Sequence, residues 1–186
     1  MDNKQSSGNT LLGKNDPLLV IIDMQERLIP VIADKEMVIE NVVRLAKFAG
    51  IIGLPVLITE QQNLGDTLPE IREELKVIEP ITKLEFNCFG SNAFSERIRK
   101  HERNTLIIAG IEAHICVVQT ALHAHPAYAV QVVSDGVSSR SLHNRNVALN
   151  RMRQQGITVT STEMVIYELL GKAGTDTFRQ ALKLVK

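Results

Sequence analysis

The chain has 186 residues, 44% hydrophobic and 23% charged, enough to close one sizeable core and too few for two full domains. Its 21 lysines and arginines balance 21 aspartates and glutamates, so no overall field draws it to nucleic acid or an anionic membrane. A small molecule is the expected ligand. Two cysteines, no apolar run able to cross a bilayer and no apolar leader core in Met1 to Asn9 read as a reduced, cytoplasmic protein, and nothing calls for a cofactor.

Residues 1–16 are polar and aperiodic, with Gly8 and Gly13, and read as a flexible N-terminal arm before a single domain over 17–186. Leu18-Leu19-Val20-Ile21-Ile22 is apolar at every position, the pattern of a strand buried on both faces of a parallel sheet. It ends at Asp23, where open α/β sheets place ligand chemistry, although such an aspartate can equally cap a turn. Asp34 stands as N-cap to a helix with Val38, Val42, Leu45, Ala46 and Ala49 at helical spacing, stopped by Gly53 and Pro55. Val56-Leu57-Ile58-Thr59 is the second strand, which puts Glu60, Gln61, Gln62 and Asn63 on the rim with Asp23. A short helix runs from about Pro69 to Leu75.

Glu79 to Lys83 is a brief extended piece. Leu84 to Gly90 is a loop with two phenylalanines, Phe86 and Phe89, in a chain only 4% aromatic, and such rings want a pocket or an interface. Ser91 caps a helix with Phe94 and Ile98 at i, i+4. Thr105 to Ala109 is the next strand, and Gly110 to Cys116 is the turn into a helix reaching about His125. Ala129 to Val133 is a strand, Ser134 to Ser141 a polar rim loop, and about His143 to Gln155 a helix. Ile157 to Thr160 is the last strand. Thr160 and Glu163 have capping-box spacing for a helix over Thr162 to Leu170, and Phe178, Ala181, Leu182 and Val185 mark a closing helix. Strands alternating with helices predict an α/β fold: a three-layer, doubly wound sandwich on a mostly parallel six-stranded sheet.

Cys116 begins a helical pattern directly after a strand and a glycine. Unsatisfied N–H groups and the positive end of the helix dipole favour a thiolate there and supply donors for an oxyanion. The same cysteine, between Ile115, Val117 and Val118, can also simply fill core. Taken singly, Asp23 is a turn carboxylate and Lys83 a surface lysine; all three together on one rim favour a site.

Val20-Ile21-Ile22-Asp23-Met24-Gln25, then Thr82-Lys83 with Phe86 beyond, then Gly110-Ile111-Glu112-Ala113-His114-Ile115-Cys116-Val117, resembles the isochorismatase-like cysteine hydrolase superfamily. The group includes nicotinamidases and N-carbamoylsarcosine amidohydrolases, and the resemblance spans about Leu18 to Glu168. It implies an Asp-Lys-Cys triad. Cys116 would attack, Asp23 serve as base and then acid, and Lys83 lower the thiol pKa and steady the aspartate. It also implies a cis peptide between Ile111 and Glu112, with the N–H groups of Glu112 and Cys116 forming an oxyanion hole. Relatives commonly form homo-oligomers, so one is expected here.

Departures sharpen the reading. Nicotinamidases carry an aspartate and two histidines after the second strand, whereas Thr59-Glu60-Gln61-Gln62-Asn63-Leu64 holds no histidine, so no metal site is expected. His123 and His125, at i, i+2 on one helix, cannot easily face one ion, and His101 and His143 read as solvated. Vinyl-ether-cleaving isochorismatases lack the cysteine, so keeping it points to acyl chemistry. The resulting expectation is a hydrolase of a small amide, or a related acyl or carbamoyl compound, acting through a thioester. Gln61, Phe86 and His114 are candidate substrate contacts. Arg140 is set aside as a partner for Asp135 or a neighbouring subunit. Two rivals stand beside it: a thiol redox enzyme using Cys116 with Cys88, and an idle binding or scaffold member of the family.

Overall fold

The computed structural model describes residues 11–75 and 77–186. Six strands form one sheet: β1 (Pro17–Ile22), β2 (Val56–Gln61), β3 (Ile81–Lys83), β4 (Thr105–Ile111), β5 (Ala129–Ser138) and β6 (Thr158–Thr160). Every pairing is parallel, in the order β3-β2-β1-β4-β5-β6. Parallel pairs need long crossovers, and helices supply them: α1 (Lys35–Ile52), α2 (Pro69–Glu74), α3 (Asn92–Lys100), α4 (Val118–Ala124), α5 (Leu142–Gln154), α6 (Thr162–Leu170) and α7 (Asp176–Val185).

The uniformly apolar first strand has the reason expected for it. Leu19 and Ile21 point into one core with Val42 and Leu45 of α1, Ile166 of α6 and Ala181 of α7. Leu18, Val20 and Ile22 point into a second core with Phe94 of α3, Val118 of α4 and Met152 of α5. Two helical layers enclose the sheet, as in the predicted three-layer sandwich.

Several local expectations are corrected. Asp34 holds the N-cap position of α1, but with φ 52° and no side-chain cap bond. The cap of α6 is Ser161, whose hydroxyl accepts from Met164 N–H, and Thr160 instead ends β6. The polar stretch after Val133 is strand up to Ser138: a register shift pairs Ile108 with Val132 but Gly110 with Val137, so β5 bulges and then rejoins β4. Alternation of side chains gave no hint of this, because the bulge interrupts the period. Residues 1–10 of the expected arm lie outside the described residues. Within 11–16, Leu12 is buried and its N–H donates to Glu168, while the Asp16 carboxylate accepts from Asn104 and Thr105.

The sheet reverses its winding between β1 and β4, and these strand ends approach unusually closely. Gly110 has φ 118°, and a Cβ there would sit 2.0 Å from the carbonyl oxygen of Ile22. Gly110→Ala should therefore cost more than about 4 kcal/mol of stability by guanidinium denaturation. Gly50→Ala, in an exposed turn of α1 with no atom within 4 Å of the new methyl, should gain about 1 kcal/mol. An unchanged midpoint for Gly110→Ala would show that the two strand ends can part.

Candidate active site

The order β3-β2-β1-β4 places four strand ends side by side, and each contributes to one row, buried except at the half-buried Gln61. Lys83 ends β3, Gln61 ends β2 opposite it, Asp23 follows β1, and Cys116 lies in the turn beyond β4. The row straddles the switch point of the sheet, where helices leave in opposite directions and open a crevice.

Asp23 is fixed from three sides. Its backbone takes the left-handed conformation, φ 51°, which aspartate tolerates better than most residues, and its N–H donates to Thr59 O at 3.1 Å. The Thr59 hydroxyl donates to Oδ1 at 2.7 Å, and Lys83 Nζ donates to Oδ2 at 2.7 Å. Both side chains of that ion pair are wholly buried. The same Nζ lies 2.9 Å from Gln61 Oε1 and 3.8 Å from Cys116 Sγ. The structure thus brings together Asp23, Lys83 and Cys116, residues 60 and 33 apart in the chain at their two contacts.

Cys116 does not open an ordinary α-helix. It sits in a π-helical turn, Ala113–Val117, that runs directly into α4, and it keeps 5% of its surface exposed. π turns of this kind recur at functional sites. The peptide bond Ile111–Glu112 is cis, as the resemblance implied. The Glu112 carbonyl accepts from the N–H groups of Ile115 and Val117. Its buried carboxylate accepts from Arg140 N–H at 2.9 Å and stands 3.3 Å from the Arg140 guanidinium. Arg140 therefore pairs with Glu112. Asp135, its expected partner, accepts instead from the backbone and hydroxyl of Thr162.

Electrostatics oppose the pull toward thiolate expected at this turn, although Lys83 acts in the expected direction. Burial and then the Asp23 carboxylate push the Cys116 thiol well above its ordinary value, and the opposing pull of Lys83 does not offset them. Burial pulls the Lys83 ammonium down, but Asp23 and the two cysteines outweigh it and leave Lys83 above its ordinary value. The site therefore rests as thiol beside an ammonium. Burial, against Lys83, likewise pushes Cys88 up to about 11. Both cysteines are free, and Cys88 Sγ lies 4.0 Å from Thr59 Oγ1.

The candidate substrate contacts divide. Gln61 joins the row but spends its amide on Lys83 and on Leu84 O. His114 Nδ1 is 2.9 Å from Ser139 Oγ and 3.9 Å from the Glu112 carboxylate, so it braces the Cys116 turn against the end of β5. Phe86 is 55% exposed, whereas Phe89 stacks on His123 and meets Phe94 edge-on. Thr59 and Gln25 went unnoticed in the sequence. Gln25, fully buried, donates to Gln61 O and Gly65 O and accepts from Gln61 N–H. A threonine closing an otherwise apolar strand was the available signal. Among the described residues, no group of three or more His, Cys, Asp or Glu side chains is arranged to hold a metal ion, and no helix is long and apolar enough to cross a membrane.

A sequence model of the isochorismatase domain matches residues 17–164. The secreted isochorismatase effector Isc1 of Phytophthora sojae is 33% identical over 193 residues, covering 97% of this chain and 91% of its own. A structure described as a MAR1 ribonuclease from Caenorhabditis elegans superposes with TM-score 0.88 at 30% identity, over 95% of this chain and 92% of the other. The YcaC protein of Pseudomonas aeruginosa, solved with hexane-2,5-diol and covalent acrylamide, gives TM-score 0.88 at 25% identity, over 94% and 91%.

The raised thiols tie stability to pH. Above pH 9 the unfolded chain loses thiol protons that the folded one keeps, so stability falls as pH rises, and Lys83 adds a loss in the same direction above 10.5. Cys88 alone should account for about 2 kcal/mol of the loss between pH 9 and 11. Urea titrations at both pH values should show a correspondingly smaller loss for Cys88→Ala, and an equal loss would refute the assignment.

Proposed function

The chain belongs to the isochorismatase family, and from that premise we propose that it is a cysteine-dependent hydrolase of a small amide, or a related acyl or carbamoyl compound. One observation carries the reading: a buried ammonium shared by a carboxylate at 2.7 Å and a cysteine sulfur at 3.8 Å. Family membership supports hydrolysis, and the covalent acrylamide in the P. aeruginosa relative, an alkylating electrophile, is in keeping with a reactive nucleophile in that protein.

Because Cys116 rests as a thiol, attack needs a base, and Asp23 is the carboxylate placed to serve. As Sγ bonds to the carbonyl carbon, the thiol proton passes to Asp23 and negative charge moves to the carbonyl oxygen. The N–H groups of Glu112 and Cys116 are assigned to that oxygen. Collapse expels the amine, which takes the proton from Asp23 and leaves a thioester. Water then gives a proton to Asp23 as it attacks. A second collapse releases the acid, and the proton returns to sulfur. Lys83 stays charged throughout and offsets the negative charge wherever it moves.

A small molecule fits this row better than a polyanion. Balanced charge offers no field to gather phosphates, although the C. elegans protein is named a ribonuclease. A homo-oligomer in a reducing compartment completes the reading. Leu142, Val147, Met164 and Tyr167 leave apolar surface on α5 and α6, and both thiols are free; the P. sojae relative, by contrast, is named as secreted.

Mass spectrometry of the protein incubated with a panel of small amides should reveal an acyl adduct on wild type and none on Cys116→Ala. An adduct persisting in the variant would remove the nucleophile. Cys88→Ala should retain hydrolysis, whereas loss of activity there would favour thiol redox chemistry. Asp23→Asn should lower kcat by about a hundredfold or more. It should nevertheless speed alkylation of Cys116, since the carboxylate helps hold the thiol neutral.

A further inference from the structure

An ammonium has three protons and no lone pair, so its partners can be counted. Lys83 meets three acceptors inside the protein: Asp23 Oδ2 at 2.7 Å, Gln61 Oε1 at 2.9 Å and Cys116 Sγ at 3.8 Å. The first belongs to the proposed base and the last to the proposed nucleophile. Only the second has no part in the proposed chemistry.

The amide of Gln61 can be oriented without ambiguity. Lys83 only donates and Leu84 O only accepts, so Oε1 must face the lysine and Nε2 the loop, where it donates to Leu84 O at 2.7 Å. The backbone of Gln61 is clamped in turn. Its N–H donates to Gln25 Oε1 at 2.8 Å, and its carbonyl accepts from Gln25 Nε2 at 3.0 Å. Gln25 is wholly buried and reaches across from the end of β1. The lysine is thus held from β1 and β2 by two glutamines in series, while Asp23 holds it directly.

We infer that Gln61 is a positioning residue: by taking the third proton of Lys83 it keeps the ammonium on Asp23 and Cys116 and withholds it from substrate. The consequence for substrate class, which rests on the hydrolase reading above, is that the reacting end is uncharged. An anionic group there finds no free donor on Lys83. The groups acting electrostatically on the Cys116 sulfur are Asp23 after β1, Lys83 at the end of β3 and Cys88 in the loop beyond it. A neutral glutamine adds no charge to that set.

Two alkylating reagents of matched size test this on the full chain without relying on turnover. Neutral iodoacetamide and anionic iodoacetate both modify Cys116, read by peptide mass spectrometry that separates it from Cys88. Gln61→Met keeps the length but loses the acceptor, so the freed proton should raise the rate ratio of iodoacetate to iodoacetamide about fivefold over wild type. Gln61→Glu, isosteric and charged, should draw the ammonium from sulfur and slow both reagents about tenfold at pH 8. Wild-type rates and ratios in both variants would overturn the inference. With any amide that wild type hydrolyses, Gln61→Met should lower kcat and leave KM unchanged. A raised KM with unchanged kcat would make Gln61 a substrate ligand and also overturn it. If wild type hydrolyses no amide, the hydrolase reading fails while the alkylation ratio still decides the role of Gln61.

Discussion

Lys83 carries its charge into a place where neither its own head nor the carboxylate facing it touches water, with 2.7 Å between them. Desolvation costs several kcal/mol per ion, and replacing such pairs by packed apolar residues is often neutral or stabilising. Stability alone therefore does not account for the pair. What it provides is a fixed positive charge beside a sulfur, with every surrounding group arranged to satisfy it. Losing one partner would strand the other in a low-dielectric interior, at a cost of about 3–5 kcal/mol, so the fold depends on the same contact that sets the charge beside the sulfur.

The architecture explains how side chains so distant in sequence come to share one proton donor. In a parallel sheet all strands end on one edge, and the order β3-β2-β1-β4 lines up Lys83, Gln61, Asp23 and the turn that holds Cys116. The second layer of support comes from backbone and neutral polar groups: Thr59 on Asp23, Gln25 on Gln61, and the Arg140 N–H on Glu112. None of these adds an unpaired charge to the row. Burial and Asp23 push the thiol up and favour its protonated form.

Much of this was legible in the residues themselves. The unbroken apolar run Leu18 to Ile22 announced a strand buried on both faces, and alternation with helical periods announced a parallel sheet. The strand-end placement of Asp23, Lys83 and Cys116 drew them to one rim, and a family resemblance named their grouping. What stayed hidden depended on three-dimensional partners. The bulge that carries β5 on to Ser138 breaks the two-residue period by which strands are read. The pairing of Arg140 with Glu112 joins residues 28 apart with no pattern between them. The charge state of Cys116 depends on how far burial and a carboxylate outweigh an ammonium, a balance that position at a helix start could not express.

The tight meeting of β1 and β4 at Gly110 has one more implication. Where β4 meets the end of β1, the backbone at Gly110 leaves no room even for a methyl group, so this position cannot be altered by substitution. The loop after β3 is different: Leu84 and Phe86 project into solvent, 68% and 55% exposed. Change at this end of the sheet has one inexpensive route, in which the crossing at Gly110 is kept and the exposed loop after β3 is rewritten.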